Sequence, residues 1–383
     1  MNRVVGGAVT KGMGRPFLAF ARATARDLQP ARIGLGHPEA NLDGAIRWLA
    51  RAREMSGIGG VSHGYSLADG WRPSHPEISS FISVTLFDLA ARNGNAEHRA
   101  RAIDICRWLC RAQNDDGSFA NPARGSGGAV FDTGQALQSL ARACCETGHV
   151  QFAEAADRAA NWLVQVADSD GCWTPNTPRG VPHAYDTRAA WPLLAHGLAQ
   201  TNKEFERVAR ANLDWAVTQQ RDTGWFDHCS AEAGAAPFTH TLGYALEGLL
   251  EAGSITGEPR YVDAACRGAE ALLAHVHRDG FVPGQIDVTG HGAARFCCLT
   301  GNCQLAIVWA KLYTRSGDDR FRRAAVSSLR YVMASQDLHT DNRDVCGGIK
   351  GSHPIWGAYS AFTYPSWAAK FFIDALLCCW EWL

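Results

Sequence analysis

Four stretches of this chain close in nearly the same way. "WLCRAQNDDGSF" (108–119), "WLVQVADSDGCW" (162–173), "WAVTQQRDTGWF" (215–226) and "LLAHVHRDGF" (272–281) each end an amphipathic helix with a polar turn that contains Gly and an aromatic residue. Each is followed by an irregular stretch and a more apolar helix: "VFDTGQALQSLARACCETG", "AYDTRAAWPLLAHGLAQTN", "FTHTLGYALEGLLEAGSITG" and "FCCLTGNCQLAIVWAKLYTRSG". A less exact unit opens the series with "LDGAIRWLARAREM" and "SHPEISSFISVTLFDLAARNG", and another closes it with "RFRRAAVSSLRYVMASQ" and "YPSWAAKFFIDALLCCWEW". The period of about 55 residues is one helix pair per unit, and such a unit buries its apolar face only by stacking on its neighbours.

The first helix of each pair has Arg, Asp and Gln on one side and Leu, Trp and Ala on the other, as a helix at the solvent boundary does. The second is rich in Ala, Gly and Leu and carries few charges after its first turn, as a helix buried on most sides does. Six such pairs predict an all-α fold, an (α/α)6 toroid with the apolar helices inside. An open solenoid of the same units is the competing expectation. Closure is favoured because solenoids end in polar caps, whereas the last pair here carries Phe371, Phe372, Trp380 and Trp382. Residues 1–36 read as an N-terminal extension or cap, and 37–383 as one toroidal catalytic domain.

Composition narrows the partners. With 37 Lys and Arg against 38 Asp and Glu, the net charge of −1 gives no general attraction to nucleic acid or anionic membrane. No apolar run approaches a membrane span. The N-terminal stretch lacks the apolar core of a signal peptide, so the expectation is a cytoplasmic protein. The 13 cysteines read as reduced, mostly buried thiols, and no outer helix is apolar enough to suggest an oligomer interface. Neither a GxGxxG sequence in a βαβ context nor a phosphate loop is present, so no nucleotide cofactor is expected.

The chemistry should lie at one rim. Asp132, Asp186 and His240 recur at separations of 54 and 54 residues, Glu77 lies 55 before the first, and all stand near inner-helix N-termini. Helix capping is the bland use for such acids, although it explains His240 poorly. Around them lie "GGVSHGYSLADGWRPSHPE", with Tyr65, Trp71, Arg72 and His75, and "PRGVPHAYDTR", with His183, Tyr185 and Arg188. A third stretch, "GGIKGSHPIWGAYSAFTYPSW", adds Lys350, His353, Trp356, Tyr359 and Tyr364. Aromatic faces mixed with Arg, Lys and His suit a sugar, with Arg72, Arg188 and Lys350 available to a uronate carboxylate. Packing of these aromatics as a satellite core is the alternative.

Two chemistries fit. Asp132 and Asp186 could act across a glycosidic bond as acid and base. Alternatively, Tyr185 with His183 or His240 could move a proton beside a uronate carboxylate while Arg188 steadies the developing charge, giving a lyase or C5 epimerase. A toroid that only binds glycan would use the same rim. Zinc is a lesser possibility at Asp227, Cys229, His240 and Cys298, a mixed set without a compact zinc spacing.

The "QNDDGSF" and "QQRDTGWF" turns resemble the repeat of the terpenoid cyclase and protein prenyltransferase α/α toroid superfamily, over roughly residues 40–383. The DxDD acid motif of squalene-type cyclases is absent, and "DNRD" (341–344) is no substitute. "DHC" with His240 superficially resembles the zinc set of farnesyltransferase-like enzymes, but on too short a spacing. More of the chain is similar to uncharacterised prenyltransferase-like toroids of bacterial polysaccharide clusters, through "GWRPSHPE", "VFDTGQAL", "YDTRAAWPLLAHG", "HTLGYALEGLLEAG", "CLTGNCQLAIVW" and "YPSWAAKFFIDALL". The loaded rim also resembles unsaturated glucuronyl hydrolases, which use two inner-helix aspartates, here matched by Asp132 and Asp186. N-acylglucosamine 2-epimerases use histidines in the same architecture, for which His240 is the nearest match. These resemblances imply an (α/α)6 enzyme acting on an acidic polysaccharide or oligosaccharide.

Overall fold

The structure is a computed structural model that describes residues 14–28 and 37–383 apart from 233 and 288, with side chains from residue 19 onward. The expected extension over 1–36 is therefore described only in part. Its helix α1 (Gly14–Asp27) precedes six alternations of outer and inner helices. The pairs are α2 (Pro38–Glu54) with α3 (Pro76–Asn93), α4 (Ala96–Ala112) with α5 (Val130–Thr147), and α6 (Val150–Gln165) with α7 (Thr187–Gln200). They continue with α8 (Lys203–Thr218) and α9 (Thr239–Thr256), α10 (Pro259–Leu273) and α11 (Leu299–Ser316), and α12 (Asp319–Ser335) and α13 (Ser366–Cys379).

Each inner helix packs on the next, and α13 packs on both α3 and α2, so the units form a closed ring and not a solenoid. Small residues make the inner ring possible. A Cβ on Gly134 would lie 2.6 Å from the Cα of Ala189 on the neighbouring inner helix, a distance that no real side chain occupies.

The recurrent turns carry the seams between units. Gly117 has φ +91° and presses on the backbone of Arg158 in α6, so both its conformation and its surroundings exclude a side chain. Gly171, Gly224 and Gly280 repeat this on α8, α10 and α12, and Gly347 repeats it on Gly44 of α2. A glutamine reinforces alternate seams. Gln113 Nε2 donates to Gly117 O (2.8 Å) and Ala155 O (2.9 Å), and Gln220 Nε2 donates to Gly224 O (3.1 Å) and Ala264 O (2.8 Å). Gln336 Nε2 makes the same two bonds to Gly347 O (2.7 Å) and Asn41 O (3.1 Å). The contact that joins one unit to the next thus also joins the sixth to the first.

Links from inner to outer helices are tight turns, four of them closed by a left-handed glycine such as Gly94. Links from outer to inner helices are long and gather at the end where the inner helices begin. They contain the strands, each of two or three residues: β1 (Gly64–Ser66), β2 (Gly70–Trp71), β3 (Cys297–Cys298), β4 (Ser352–His353) and β5 (Thr363–Pro365). β1 pairs antiparallel with β2 and β5, placing Tyr65 opposite both Trp71 and Tyr364, and β3 pairs with β4. Cys297 and Cys298 thus form a strand where the sequence suggested helix.

Helix α1 lies against these loops. Lys350 Nζ donates to Asp27 Oδ1 (2.6 Å), the Ile355 amide donates to Oδ2 (2.7 Å), and Phe20 packs on Phe362. Among the described residues, no helix is long and apolar enough to cross a membrane.

Candidate active site

The acids expected at the rim are not caps. Asp132 lies in the first turn of α5 and Asp186 at the N-cap of α7, yet neither side chain makes a capping bond. Both are buried, at 2% and 1% exposure, and neither oxygen of Asp186 has a hydrogen-bond partner among the described residues. Buried acids without a structural partner are costly, which is the mark of a functional position.

Glu77, behind Pro76 in the first turn of α3, is the acid that gathers with Asp132. Single donor atoms of His75, Glu77 and Asp132 all lie within 4.8 Å of one another. Of the groups among the described residues, this trio has the spacing to hold a metal ion. Burial and the neighbouring Asp132 push the Glu77 carboxyl well above its ordinary range. Burial pushes Asp132 up to about 7, against the hydrogen bond from Asn121 Nδ2 to its Oδ2 (3.3 Å) and the charge of Arg124. Burial likewise takes Asp186 up to about 8.

Histidines line the same region as neutral rings. Burial holds His75 and His240 down at about 4, and burial with the neighbouring His75 and Arg72 holds His63 at about 3. His75 Nδ1 stands 3.7 Å from Asp132 Oδ1, too far for a hydrogen bond. His240 Nδ1 bonds Gln304 Oε1 (2.9 Å), and its ring lies 4.4 Å from Tyr244 and 5.1 Å from Tyr359. Tyr359 accepts a hydrogen bond from Trp367 Nε1 (2.8 Å). His183 stacks on Tyr185 at 4.6 Å, and burial pushes the Tyr185 hydroxyl far above its usual range, the wrong direction for a base.

Several residues expected to hold substrate are engaged elsewhere. Arg188 points into the barrel, where it is 2% exposed, lies 3.3 Å from Glu247 and covers the rings of Phe81 and Trp191. One residue past Thr187, its long side chain follows the helix inward instead of lying at the rim. Lys350 and His353 face Asp27 of α1, whose carboxylate burial alone would push up but which these two hold at about 2. Trp71 donates to Asp344 Oδ1 (2.9 Å) and packs on Trp48, which is the satellite-core role. Tyr65 and Tyr364 line a cleft of about 680 Å³ beneath α1. Arg72 stands beside His63, and Trp356 is 40% exposed.

The suggested zinc set is not assembled. Asp227 is paired with Arg221, Cys298 caps α11 by accepting from Gly301 N, and His240 is held by Gln304. Burial pushes the Cys229 and Cys298 thiols up to about 12, away from the thiolate a metal needs.

Two neighbours of the acids, Asn121 and Arg124, escaped the sequence reading. They belong to "NPARGSGG" (121–128), which has no aromatic residue to draw attention. Its place before an inner helix was the available signal.

No protein-family model matches the chain, and no curated protein matches it in sequence. Solved structures do resemble it. The unsaturated glucuronyl hydrolase of Bacillus sp. GL1, described as responsible for glycosaminoglycan degradation, superposes with a TM-score of 0.71 at 18% identity, over 89% of this chain and 96% of that one. A mutant unsaturated glucuronyl hydrolase from Streptococcus agalactiae, complexed with dGlcA-GalNAc6S, gives 0.67 at 11% identity, over 100% and 99%. An α-1,6-mannanase of Salegentibacter sp. HEL1_6 gives 0.63 at 14% identity, over 88% and 98%. At such identities these likenesses establish the fold, so the prenyltransferase-like turns carry no more than the toroid: the chain is an all-α (α/α)6 barrel related in architecture to the unsaturated glucuronyl hydrolases.

Proposed function

We propose that the protein is a glycoside hydrolase acting on an oligosaccharide with a terminal uronate, with Glu77 and Asp132 as its acid–base pair. The observation that carries this reading is the pair itself, a buried Asp132 and a half-buried Glu77 with oxygens within 4.8 Å and both titrations displaced upward. Two carboxylates so placed resist double ionisation and keep one proton between them through neutral pH. The protonated member can donate to the leaving glycosidic oxygen while the ionised one attacks, or steadies, the sugar carbon. Asp186, protonated at pH 7 and with no partner for its oxygens among the described residues, bonds a sugar hydroxyl in this reading. The architectural relatives named as glucuronyl hydrolases support a uronate, and those relatives include one bound to dGlcA-GalNAc6S.

Proton abstraction by Tyr185, His183 or His240 has less support. The tyrosine is hard to ionise, and a histidine held at about 4, as His240 is, makes a weak base at neutral pH.

The deciding experiment incubates the protein in deuterated water with oligosaccharides ending in saturated or unsaturated uronates, followed by mass spectrometry and ultraviolet absorbance. Cleavage with addition of water is expected, and Glu77→Gln and Asp132→Asn should each reduce it about a hundred- to ten-thousand-fold while still binding. Deuterium in an intact chain would replace hydrolysis with epimerisation, and a new conjugated double bond would replace it with elimination. Binding without turnover would leave a glycan-binding toroid.

A further inference from the structure

A uronate at this mouth needs a cation, and the structure removes two of the three that the sequence offered. Arg188 is spent on Glu247 inside the barrel, and Lys350 on Asp27. The third, Arg72, stands beside His63, and a cation that the sequence reading passed over, Arg124, lies in the turn that leads to Asp132. It sits in the exposed turn that links α4 to α5, and its side chain forms no hydrogen bond or ion pair among the described residues. The turn is nevertheless anchored. A bridge joins Ala120 to Gly128, the Arg124 amide donates to Asn121 O (2.8 Å), and the Ala123 amide donates to Asn121 Oδ1 (3.1 Å). Asn121 in turn donates from Nδ2 to Asp132 Oδ2 (3.3 Å), so the arginine's turn is tied directly to a proposed catalytic carboxyl.

The charge of Arg124 opposes the upward displacement of Glu77, Asp132 and Asp186 and pushes down His75 and His183. Of the groups with displaced titrations, Arg72 influences His63. Arg124 is therefore close enough for its charge to be felt at Glu77, Asp132 and Asp186, its turn is tied to Asp132 through Asn121, and among the described residues it pairs with none of these acids. An arginine whose role was to neutralise those acids would pair with one of them, as Arg188 pairs with Glu247. Here the five N–H donors of the guanidinium remain free for a ligand. The turn also has room to move: no atom lies within 4 Å of where side chains on Gly125 and Gly127 would begin.

Resting on the hydrolase reading, we propose that Arg124 binds the carboxylate of the terminal uronate and selects acidic over neutral sugars. A planar guanidinium offers that carboxylate two parallel N–H bonds, which a lysine ammonium cannot reproduce. The ligand brings the charge that the empty turn lacks, and in binding it draws Arg124 over Glu77 and Asp132.

The test compares native protein, Arg124→Gln and Arg124→Lys on a uronate-terminated disaccharide and on its carboxyl-reduced neutral counterpart. Arg124→Gln should raise KM for the acidic substrate about 10- to 100-fold and leave KM for the neutral one unchanged, while any change in kcat from the lost charge beside Glu77 and Asp132 should be the same on both substrates. Arg124→Lys should recover part of the loss. An unchanged acidic KM, or an equal loss on both substrates, overturns the proposal. Calorimetric titration of the same acidic disaccharide separates this from the hydrolase reading. If nothing is cleaved, hydrolysis fails, but binding by native protein that Arg124→Gln abolishes still upholds the arginine's role. Absence of binding, or equal binding by both proteins, overturns it.

Discussion

Asp132 shows how a residue can be placed against its own stability. Its carboxyl moves from an ordinary 3.8 to about 7 on folding, so across that window the native chain holds a proton that the unfolded chain has released. Stability then falls as pH rises from about 4 to about 7 and stays lower above it. Asp132→Asn and Asp186→Asn should therefore raise the unfolding midpoint by a few degrees at pH 8, with the gain vanishing near pH 3.5, while Asp132→Asn removes turnover. Calorimetric melts at the two pH values, run beside activity assays, check both signs. The pair's shared proton also predicts that kcat/KM declines on the alkaline side as the last proton leaves. A rate that rises without limit above pH 8 would exclude a carboxylic acid as the proton donor. At this scale the rim phase was legible in the sequence, but the partnership was not. Spacing placed Glu77, Asp132 and Asp186 on one rim, and packing then brought Glu77 next to Asp132. A repeat period gives the position of a Cα, not the direction or reach of its side chain.

Two elements make the same point about cations. Helix α1 is held by the buried carboxylate of Asp27 against Lys350, which is 5% exposed, together with the ion pair of Arg26 with Asp337 and the packing of Phe20 on Phe362. Asp27→Ala should strand the lysine, loosen α1 and speed proteolytic loss of the N-terminal segment, measurable by mass spectrometry of timed digests. In the inner ring, Arg188 and Glu247 join α7 to α9 deep in the barrel. Removing either partner leaves a buried charge, so Arg188→Ala or Glu247→Ala should each cost about 3–5 kcal/mol. Arg188→Met with Glu247→Leu should recover most of that loss in denaturant unfolding. The Lys350 and Arg188 ion pairs both involve residues that the sequence placed at the sugar. "YDTR" and "GIKGSHP" read as binding loops because charge beside aromatic residues suits a sugar, and nothing local distinguishes a charge aimed at solvent from one aimed at another helix.

Over the whole molecule the ring depends on its last seam. Gly347, at φ +83°, presses on Gly44 and accepts from Gln336, while the turn at Gly317 has a similar φ of +72° but open space around it. Gly317→Ala should cost about 1–2 kcal/mol of backbone strain. Gly347→Ala should cost distinctly more and lower activity too, because the 336–365 loop and the β1–β2 hairpin both hang from that seam. Parallel unfolding and activity curves would expose the difference, and equal costs would mean that closure does not depend on this contact. The helix pairs, their number and the buried character of every second helix were determined by sequence alone, since apolar periodicity and turn glycines are local and recur. Closure too was expected, from the apolar last pair, but the seam that makes it was not legible, because Gly347 lies 11 positions beyond Gln336 where the other seam glycines lie four beyond their glutamines. Tertiary structure alone decided which carboxyls meet, which cations stay free and which loop stands over them. The meeting of Glu77 with Asp132 depends on a distance between residues 55 positions apart, and even for Asn121 and Arg124, near Asp132 in sequence, side-chain direction is set by neighbours that the local sequence does not contain.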